Sequence, residues 1–580
     1  MATANILELE SLQVIVQKQR LRVGVLLDSQ VVPRWIQHIL EDIESSTVAE
    51  LVAVVAGNHV SRTDVWGELT PALLRLWSGL DRTLFAHRSA QGDALTPVFF
   101  APTSADIRLL ACDLPAESES GSPSSEAAFE SLAAMQLDVL LNLSSTAPTR
   151  HLQQLARHGL WWFRSDHELL VTLFWTLYEN IPVIENTLNI SSSRFGTAAI
   201  PCSYSAGDRC SIFRNYTNSC WKRAEGVARC LAEVYRFGEQ PTITVFVPPL
   251  LQRHAIPGTF ATAQLIPRLV ARIVREQLTK CLMRERWFIA FRKRQALEDP
   301  ETGGGTFTLI LPPRGHFYAD PFVIDKNDRT YVFFEDYSYS RRKAVISFVE
   351  INAAGECSGP AVALEESFHL AYPCLFQWEN EIYLLPETKN NGTVQLYRAT
   401  DFPRHWQLSH VLLNNVSAVD STLLQHGGKF WLFTSGLGSE DPWFDGDSQL
   451  FLFFSDSLSG PWKAHPGNPI AADVRNCRCA GQIMRWDGRL VRPAQDCSTI
   501  YGHAVVFNQI NILSETGYRE TPIGTISSDW VRNNCGTHTF NCTDKYEVLD
   551  GRMLRSRLGY GSRDPEFETV TPLKPLVTRM

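Results

Sequence analysis

The residues best suited to chemistry in this sequence are five carboxylates that recur at equivalent places between positions 316 and 550. Asp320 and Asp420 open two short apolar segments, whereas Glu335, Glu387 and Asp550 each close a segment that follows. A buried carboxylate without a partner is costly, so each of the five must meet a hydrogen-bond donor, a cation, water or a substrate. Carboxyl groups that gather at one place can exchange protons with a substrate, and the sequence therefore predicts a candidate site among them.

A constant spacing indicates how these residues are positioned. Two strand-like segments recur five times, and the marked residue of the second follows that of the first by fifteen positions each time. The first positions are Asp320, Tyr372, Asp420, Ala480 and Cys535, and the second are Glu335, Glu387, Ser435, Gln495 and Asp550. The repeats differ in length, at 52, 48, 60 and 55 residues, which indicates fixed hairpins joined by variable loops. Such repeats predict an all-β five-bladed propeller whose inner strands line a central channel.

Two roles fit the five carboxylates. Side chains from different blades converge near one mouth of a propeller's channel, where they could bind or convert a substrate. Alternatively, a repeated acid ties adjacent blades together by hydrogen bonds, a role that we expect more for Glu335 and Asp550 than for Asp320 and Asp420. A strand residue, Arg492, and His538 are the candidate partners of these acids.

Several motifs in the repeats resemble the five-bladed propeller superfamily of glycoside hydrolases that includes families 32, 43, 62 and 68. Ala319-Asp-Pro-Phe322 is similar to the blade-one motif whose Asp is the general base or nucleophile. Asp420 stands where that superfamily has the Asp that orients the acid and adjusts its pKa. The phrase from Ser455 to Pro469 resembles its blade-edge signature. Over residues 306–555 the resemblance is closer still to the propeller of plant glucosamine inositolphosphorylceramide transferases, which carry an attached glycosyltransferase domain.

The resemblance to these hydrolases implies a second carboxyl group that acts as the acid, usually a Glu from a later blade. Blade four has Ala480-Gly-Gln482 at that place, and none of these side chains can donate a proton as an acid. Glu387 is the candidate acid instead, so the implied catalytic residues are Asp320, Asp420 and Glu387. The candidate residues for holding a substrate are Tyr372, Glu335, Arg492, Gln495, Tyr501 and His538.

Residues 1–250 carry the alternating pattern of an α/β domain with a parallel sheet. A buried-type strand over 22–27 is followed by a helix over 33–45 and a second strand over 51–56. Strand, helix and strand in under forty residues predict a parallel unit whose ligand edge lies where the strands end.

Later segments of this domain resemble the N-terminal domain of folate-dependent formyltransferases, of the methionyl-tRNA and sugar-nucleotide kind. The resemblance lies in Asp138-Val-Leu-Leu-Asn-Leu143, then Gly159-Leu-Trp-Trp-Phe163, and in the segment from Phe174 to Val183. That family carries Asn-x-His after the Gly-led strand and a later Asp, which polarise the formyl donor and move protons. Here Trp162 and Arg164 stand at the Asn and His positions. An indole has no acceptor and a guanidinium cannot act as a base near neutral pH, so we expect formyl transfer to be lost.

Residues 251–305 are predicted to be a basic helical linker, with the propeller occupying 306–580. Between 257 and 293, arginines and lysines alternate with apolar residues. A basic amphipathic helix can lie on an anionic membrane surface. We expect more strongly a connecting helix that packs on the propeller with a solvated charged face.

The composition limits the class of protein. At 580 residues the chain is too long for one core. A net charge of −8 gives no reason to expect nucleic acid as a partner. Residues 1–20 lack the apolar core of a signal peptide, and the thirteen cysteines are scattered and odd in number. We therefore expect reduced thiols in a cytoplasmic protein, with neither a metal nor a cofactor.

The function predicted from these features is that of a carbohydrate-active protein whose propeller hydrolyses or transfers a glycan or glycoconjugate. The missing acid of blade four keeps a second hypothesis open, a non-catalytic glycan-binding or scaffold protein built from two degenerate enzymes. In a third, the N-terminal domain formylates an amino sugar while the propeller holds the glycan.

Overall fold

The computed structural model describes residues 19–57, 71–85, 93–112, 123–192, 196–238, 255–294, 305–437, 449–557, 567–573 and 576–579. Over these residues the chain forms an N-terminal α/β domain followed by a five-bladed β-propeller. Both fold classes are as predicted. Among the described residues, no helix combines the length and the hydropathy needed to span a membrane.

The N-terminal domain is built around a seven-stranded sheet with helices packed on both faces. Its elements are β1 Leu21–Leu27, β2 Val31–Pro33, α1 Arg34–Ser45, β3 Ala49–Ala56, α2 Ala72–Phe85, β4 Pro97–Phe99, β5 Arg108–Ala111, α3 Pro123–Ala134, β6 Val139–Asn142, α4 Arg150–Gln154, β7 Leu160–Phe163, α5 Asp166–Glu179, β8 Val183–Ser192, β9 Gly196–Ala206 and α6 Ile212–Phe237.

The strand order of this sheet is β5-β3-β1-β6-β7-β8-β9. The five strands from β5 to β7 are parallel, and β8 and β9 run antiparallel to their neighbours. The central strands are buried on both faces because helices cover each side, which accounts for their continuous apolar runs. This is the predicted parallel architecture. The resemblance to formyltransferases stays a prediction.

Helix α7, Thr259–Leu282, follows the domain, and the predicted helix over 257–293 is wrong at its C-terminal end. Residues Met283–Lys293 form a strand, β10, and not a helix. The reason is that Trp287–Phe291 are five consecutive buried apolar residues, a pattern that suits a strand covered on both faces better than a helix with one apolar stripe. The first strand of the propeller therefore lies inside the predicted linker.

The propeller contains the remaining strands. They are β10 Met283–Lys293, β11 Phe307–Ile310, β12 His316–Lys326, β13 Arg329–Ser338, β14 Lys343–Ile351, β15 Ala361–Leu364, β16 Ala371–Trp378, β17 Glu381–Glu387, β18 Thr393–Asp401, β19 His405–Asn414, β20 Val419–His426, β21 Lys429–Ser435, β22 Leu450–Ser455, β23 Lys463–Ala464, β24 Met484–Trp486, β25 Arg489–Asp496, β26 Ala504–Leu513, β27 Tyr518–Ser527, β28 Phe540–Cys542, β29 Tyr546–Ser556, β30 Phe567–Val570 and β31 Thr578–Arg579.

Blades one to three are consecutive four-stranded sheets, β12–β15, β16–β19 and β20–β23. Blade four is β24-β25-β26-β27-β31, and blade five has the order β28-β29-β10-β11-β30. The fifth blade thus combines strands from the two ends of the propeller segment. Strand β10 pairs antiparallel with β29 along its whole length, from Met283 opposite Ser556 to Lys293 opposite Tyr546. This pairing closes the ring of blades.

The two domains meet where the loop before blade four extends the N-terminal sheet. The N–H of Tyr204 in β9 donates to the carbonyl of Ala472 at 3.1 Å, and the N–H of Val474 donates to the carbonyl of Tyr204 at 3.0 Å. The Arg475 guanidinium lies 4.5 Å over the Tyr204 ring. Arg478 follows Val474 by four residues in the same loop. The loop therefore joins the N-terminal sheet to the inner end of blade four.

Candidate active site at the propeller mouth

Three inner strands carry the same irregularity at the predicted first positions. Asp320, Tyr372 and Asp420 have φ values of 53°, 44° and 50°, in the left-handed region. At each of them a β-bulge interrupts the pairing of the two inner strands of the blade. This conformation costs a non-glycine residue about 1–2 kcal/mol, so surrounding contacts must hold it.

Those contacts are hydrogen bonds to carboxylates of the preceding blade. The backbone N–H of Asp320 donates to Asp550 Oδ2 at 3.3 Å, that of Tyr372 to Asp320 Oδ2 at 3.2 Å, and that of Asp420 to Glu387 Oε2 at 3.3 Å. Asp550, Asp320 and Glu387 therefore tie blades five to one, one to two and two to three. The tying role that was expected for Glu335 falls to Asp320 and Glu387.

Glu335 lies in the same cluster with a different neighbour, because its Oε1 is 3.4 Å from His369 Nε2. Burial raises the pKa of Glu335 well above its usual range, and the charges of Asp320, Glu387 and Asp420 raise it further. The structure thus brings four predicted carboxyl groups within electrostatic reach of one another.

The surroundings raise the pKa of two of these acids to different extents. Burial, together with the charge of Asp420, raises the pKa of Glu387 to about 8, although Arg478 and Lys389 oppose this. Burial also raises the pKa of Asp320 to about 6, with His538 lowering it and Asp420 and Asp550 raising it. The surroundings therefore favour the protonated form at neutral pH more strongly for Glu387 than for Asp320. Glu387 is partly exposed, and Asp320 is only 5% exposed.

Asp420 is fixed by two donors from blade four. Arg478 Nε lies 2.5 Å from Asp420 Oδ2, and Gln495 Nε2 donates to the same oxygen at 2.8 Å. Gln495 also donates to the Cys479 carbonyl at 2.9 Å, so its amide is locked in place. Gln495, a predicted site residue, thus lies beside Asp420. Arg478 is a site residue that the sequence did not reveal.

His538 lies between two carboxylates. Its Nε2 is 3.3 Å from Asp320 Oδ1, and its Nδ1 is 2.5 Å from Asp550 Oδ2 without the alignment of a hydrogen bond. Burial alone would lower the pKa of His538, but Asp550 and Asp320 outweigh burial and raise it. The imidazole is therefore favoured in its protonated form.

The same three residues are a conceivable cation site, since ligand atoms of Asp320, His538 and Asp550 lie within 4.8 Å of one another. Their carboxylate oxygens already accept hydrogen bonds, however. Thr539 Oγ1 donates to Asp320 Oδ1 at 2.9 Å, and the N–H groups of His538 and Thr539 donate to Asp550 Oδ1 at 2.8 and 3.1 Å. A protonated His538 can lie between the two carboxylates while these hydrogen bonds stay in place, whereas a metal ion would have to displace the groups that donate them.

Tyr501 is an exposed aromatic residue that lies against His538 and Arg478. It is 39% exposed, its ring centroid lies 5.3 Å from that of His538, and the Arg478 guanidinium lies 4.9 Å over its ring. Trp287 of β10 stacks against His538 at 4.2 Å. An aromatic face thus lies against His538 and Arg478, the partners of Asp320 and Asp420, as in many ligand sites.

Two predicted substrate-binding residues lie elsewhere. Arg492 pairs with Glu520 and donates to the carbonyls of Asn476 and Cys477, and it is fully buried away from the four acids. Residues three apart on a strand point to opposite faces, which explains why Gln495 reaches the site and Arg492 does not.

The Tyr372 side chain is also fully buried, so the prediction that it contacts a substrate is wrong for its hydroxyl group. That hydroxyl lies 2.8 Å from Thr422 Oγ1 and accepts from the Gly481 N–H at 2.7 Å. Tyr372 therefore bridges blades three and four inside the propeller.

Residues fifteen apart lie side by side on the two inner strands only in blades one to three. In blade five the N–H of Asp550 donates to the carbonyl of Thr539, whereas Cys535 faces Arg552. In blade four the N–H of Gln495 donates to the carbonyl of Arg478, two residues before Ala480. The irregular strand ends of these blades, including Gly481 at φ 137°, shift the pairing. Gln495 and Asp550, the marked residues of the second strands, are thus paired with Arg478 and Thr539 and not with Ala480 and Cys535. A search for polar residues near Ala480 and Cys535 would have drawn attention to Arg478 and Thr539.

Solved structures similar to this chain include glycoside hydrolases. A family 117 glycoside hydrolase from Zobellia galactanivorans has a TM-score of 0.30 at 12% identity, covering 49% of this chain and 93% of that one. The α-L-arabinanase of Cellvibrio cellulosa, complexed with arabinohexaose, has a TM-score of 0.27 at 15% identity, covering 40% and 93%.

Sequence comparison gives a more specific match. The protein called glucosamine inositolphosphorylceramide transferase 1 of Oryza sativa subsp. japonica is 36% identical over 258 residues, which are 43% of this chain and 34% of that protein. The protein of the same name from Arabidopsis thaliana is 36% identical over 214 residues, 36% of this chain and 27% of that one. The chain thus spans about a third of the length of these curated relatives. Residues 312–558, which hold the site, match the family model described as glucosamine inositolphosphorylceramide transferase 1, N-terminal.

Proposed function

We propose that the propeller mouth binds a glycan or glycoconjugate and acts on a glycosidic bond, with Glu387 as the proton donor. The observation that carries this proposal is the convergence of Glu387 with Asp420 and Asp320, in which the Asp420 N–H binds Glu387 Oε2 at 3.3 Å and the surroundings raise the pKa of Glu387 to about 8 and that of Asp320 to about 6. A general acid must hold its proton at the working pH, and a general base must have lost its proton. Two carboxyl groups whose environments give them different pKa values can form such a pair.

Each neighbour then has a part in the reaction. Asp320 accepts a proton from water during hydrolysis, or from an acceptor hydroxyl during transfer. Asp420 is a positioning residue, because its N–H holds Glu387 Oε2 while Arg478 and Gln495 hold its own carboxylate. Tyr501 offers its exposed ring to the face of a sugar. Glu335 and His369 lie close enough to bind a hydroxyl group at the same mouth.

The substrate class to test first is a sugar linked to an inositolphosphoryl lipid, since the similar proteins are named for acting on inositolphosphorylceramide. The sugar end of such a molecule suits a mouth of carboxyl groups and one exposed aromatic ring. Transfer and hydrolysis differ only in the acceptor that Asp320 would activate.

A second function, glycan binding without catalysis, is favoured by a different observation. Asp550, Asp320 and Glu387 each accept a backbone N–H from the next blade, and this tying role accounts for the presence of these acids without any chemistry. On this hypothesis the mouth holds a sugar and leaves its bonds intact.

The purified full chain can distinguish the two. Sugar release or transfer would be followed on glycosyl inositolphosphoryl lipid headgroups and on a panel of aryl glycosides, with binding measured by calorimetry. We expect Glu387→Gln to lose about 10²–10⁴-fold in turnover while retaining binding. Glu381→Gln, on the same strand with a half-exposed side chain paired to Arg398, is the matched control. A parent protein that binds a glycan but never turns it over, with Glu387→Gln binding equally well, would leave only the binding function.

A further inference from the structure

Helix α7 has two apolar faces, and only one of them is packed. Thr262, Leu265 and Leu269 are buried against the N-terminal domain. On the opposite face Phe260 is 77% exposed, and Val274, Leu278 and Leu282 are 46–54% exposed. Val274, Leu278 and Leu282 follow one another at intervals of four, and at 100° per residue Phe260 falls on the same side of the helix.

The neighbouring helix α2, which packs against α7, also exposes apolar residues. Leu76, Leu80 and Leu84 follow one another at intervals of four and are 74%, 49% and 51% exposed. We name the two stripes together the α2–α7 surface, made up of Leu76, Leu80, Leu84, Phe260, Val274, Leu278 and Leu282. Exposed apolar stripes on two helices that pack together are a feature that marks interaction sites.

The charge beside the apolar stripe of α7 is positive. The helix carries Arg268, Arg272, Arg275 and Lys280 against one acid, Glu276, for a net charge of +3, whereas the whole chain has −8. At 100° per residue, Arg268 and Arg275 fall beside the apolar stripe. Arg275 has no ion-pair partner in the described part of the chain, and Arg268 is held over the Tyr178 ring at 4.6 Å.

We propose that the α2–α7 surface docks on an anionic lipid bilayer. An interfacial helix buries its apolar face at the boundary of headgroups and acyl chains, and flanking basic residues add attraction to anionic lipid. A second copy of the chain fits less well, because a two-fold contact would place one positive surface against another. The net negative charge of the rest of the chain turns this surface toward the bilayer.

The position of the surface relative to the site follows from the chain itself. Leu282 ends α7 and β10 begins at the next residue, and Trp287 of β10 stacks against His538. Docking on α7 therefore places a bilayer on a helix that is joined to the site by a few residues of strand. The docking rests on the surface alone and stands whether or not the propeller is catalytic.

The test is flotation of the full chain with vesicles of phosphatidylcholine, with or without about 30 mol% phosphatidylserine. We expect binding to the anionic vesicles only, and release at high salt, because added ions screen the attraction. Val274→Asp with Leu278→Asp, and separately Arg268→Glu with Arg275→Glu, should each weaken binding at least about tenfold. These side chains are exposed, so thermal unfolding should be unchanged.

Matched controls lie on the propeller. Val362→Asp with Ile512→Asp introduces two negative charges at exposed apolar positions. Arg485→Glu with Arg532→Glu reverses the charge at two exposed arginines. Both controls should bind as the parent does. Failure of the parent to bind anionic vesicles overturns the proposal, and so does equal weakening by the controls. Sedimentation that shows a dimer dissolved by Val274→Asp with Leu278→Asp would assign the surface to a second copy instead.

Discussion

Asp420 and Glu387 lie on neighbouring blades, and the backbone N–H of Asp420 donates to Glu387 Oε2 at 3.3 Å. The left-handed φ of 50° at Asp420 accompanies this bond. A protonated carboxyl group keeps one oxygen as an acceptor and carries its proton on the other. Because Oε2 accepts from Asp420, the proton of Glu387 resides on Oε1. The bond that ties two blades thus leaves Oε1 as the oxygen from which a protonated Glu387 would donate.

If Glu387 is the acid, its loss should depend on the leaving group. Glu387→Gln should lower turnover of an alkyl glycoside by about 10²–10⁴-fold, because the alcohol must be protonated as it departs. A dinitrophenyl glycoside departs as a stable anion and should be affected much less. Steady-state rates on the two substrates check this, and equal losses on both would contradict the role of proton donor.

The raised pKa of Glu387 also predicts a stability trend. The folded protein binds a proton at Glu387 up to a pKa of about 8, against an ordinary 4.5, so its contribution to stability is fully present below 4.5 and is lost as pH rises through 8. Glu387→Gln does not titrate. Scanning fluorimetry from pH 5 to 9 should show the Tm of the variant rising relative to the parent, with Glu381→Gln flat. A constant difference would mean that the pKa is not raised.

Asp320→Asn tests the tie between blades one and two. The amide keeps the size but loses one acceptor oxygen and the charge beside His538, leaving either the Tyr372 N–H or Thr539 without its present partner. Such a loss costs about 1–3 kcal/mol, so Tm at pH 7 should fall. Asp544→Asn, whose side chain is fully exposed, is the control and should leave Tm unchanged. An unaltered Tm in Asp320→Asn would show that this carboxylate does not hold the blades.

Arg478→Met should change the pH dependence of the reaction. Arg478 lowers the pKa of Glu387 and binds Asp420, so its removal should raise the pKa of Glu387 further. The alkaline limb of kcat/KM against pH should then move upward from about 8, while the acid limb near 6, set by Asp320, moves less. A profile that only falls in height would assign Arg478 a purely structural role.

We expect the N-terminal domain not to transfer formyl groups, because Trp162 and Arg164 stand where the resemblance to formyltransferases implies an acceptor amide and a base. The purified chain, incubated with 10-formyltetrahydrofolate and an amino sugar nucleotide, should yield no formylated sugar by mass spectrometry. Formylated product that is lost when residues 1–250 are removed would prove this expectation wrong.

Local patterns predicted the fold well, and the site only in part. The order of strand, helix and strand predicted the first domain and the recurring spacing of fifteen predicted five blades, and the spacing from Asp320 to Glu335 marked real neighbours, since Ala319 pairs with Glu335. The left-handed bulge at Tyr372 could not be foreseen, because it depends on a carboxylate 52 residues earlier. Arg478 was missed for a related reason: its partner Asp420 is 58 residues away on another blade. The predicted cytoplasmic location stays a prediction.

The closure of blade five determines how the protein can be divided. Strand β10 fills the gap between β29 and β11, and its partners in β29 lie more than 250 residues further along the chain. A fragment cut at the apparent linker, beginning at 306, would leave β29 and β11 as open edges with unpaired backbone groups, which favour aggregation. A ribosome that has released β10 must also synthesise the other four blades before β29 appears, so the ring can close only after β29 has been made. A soluble propeller fragment would therefore have to begin at or before Met283.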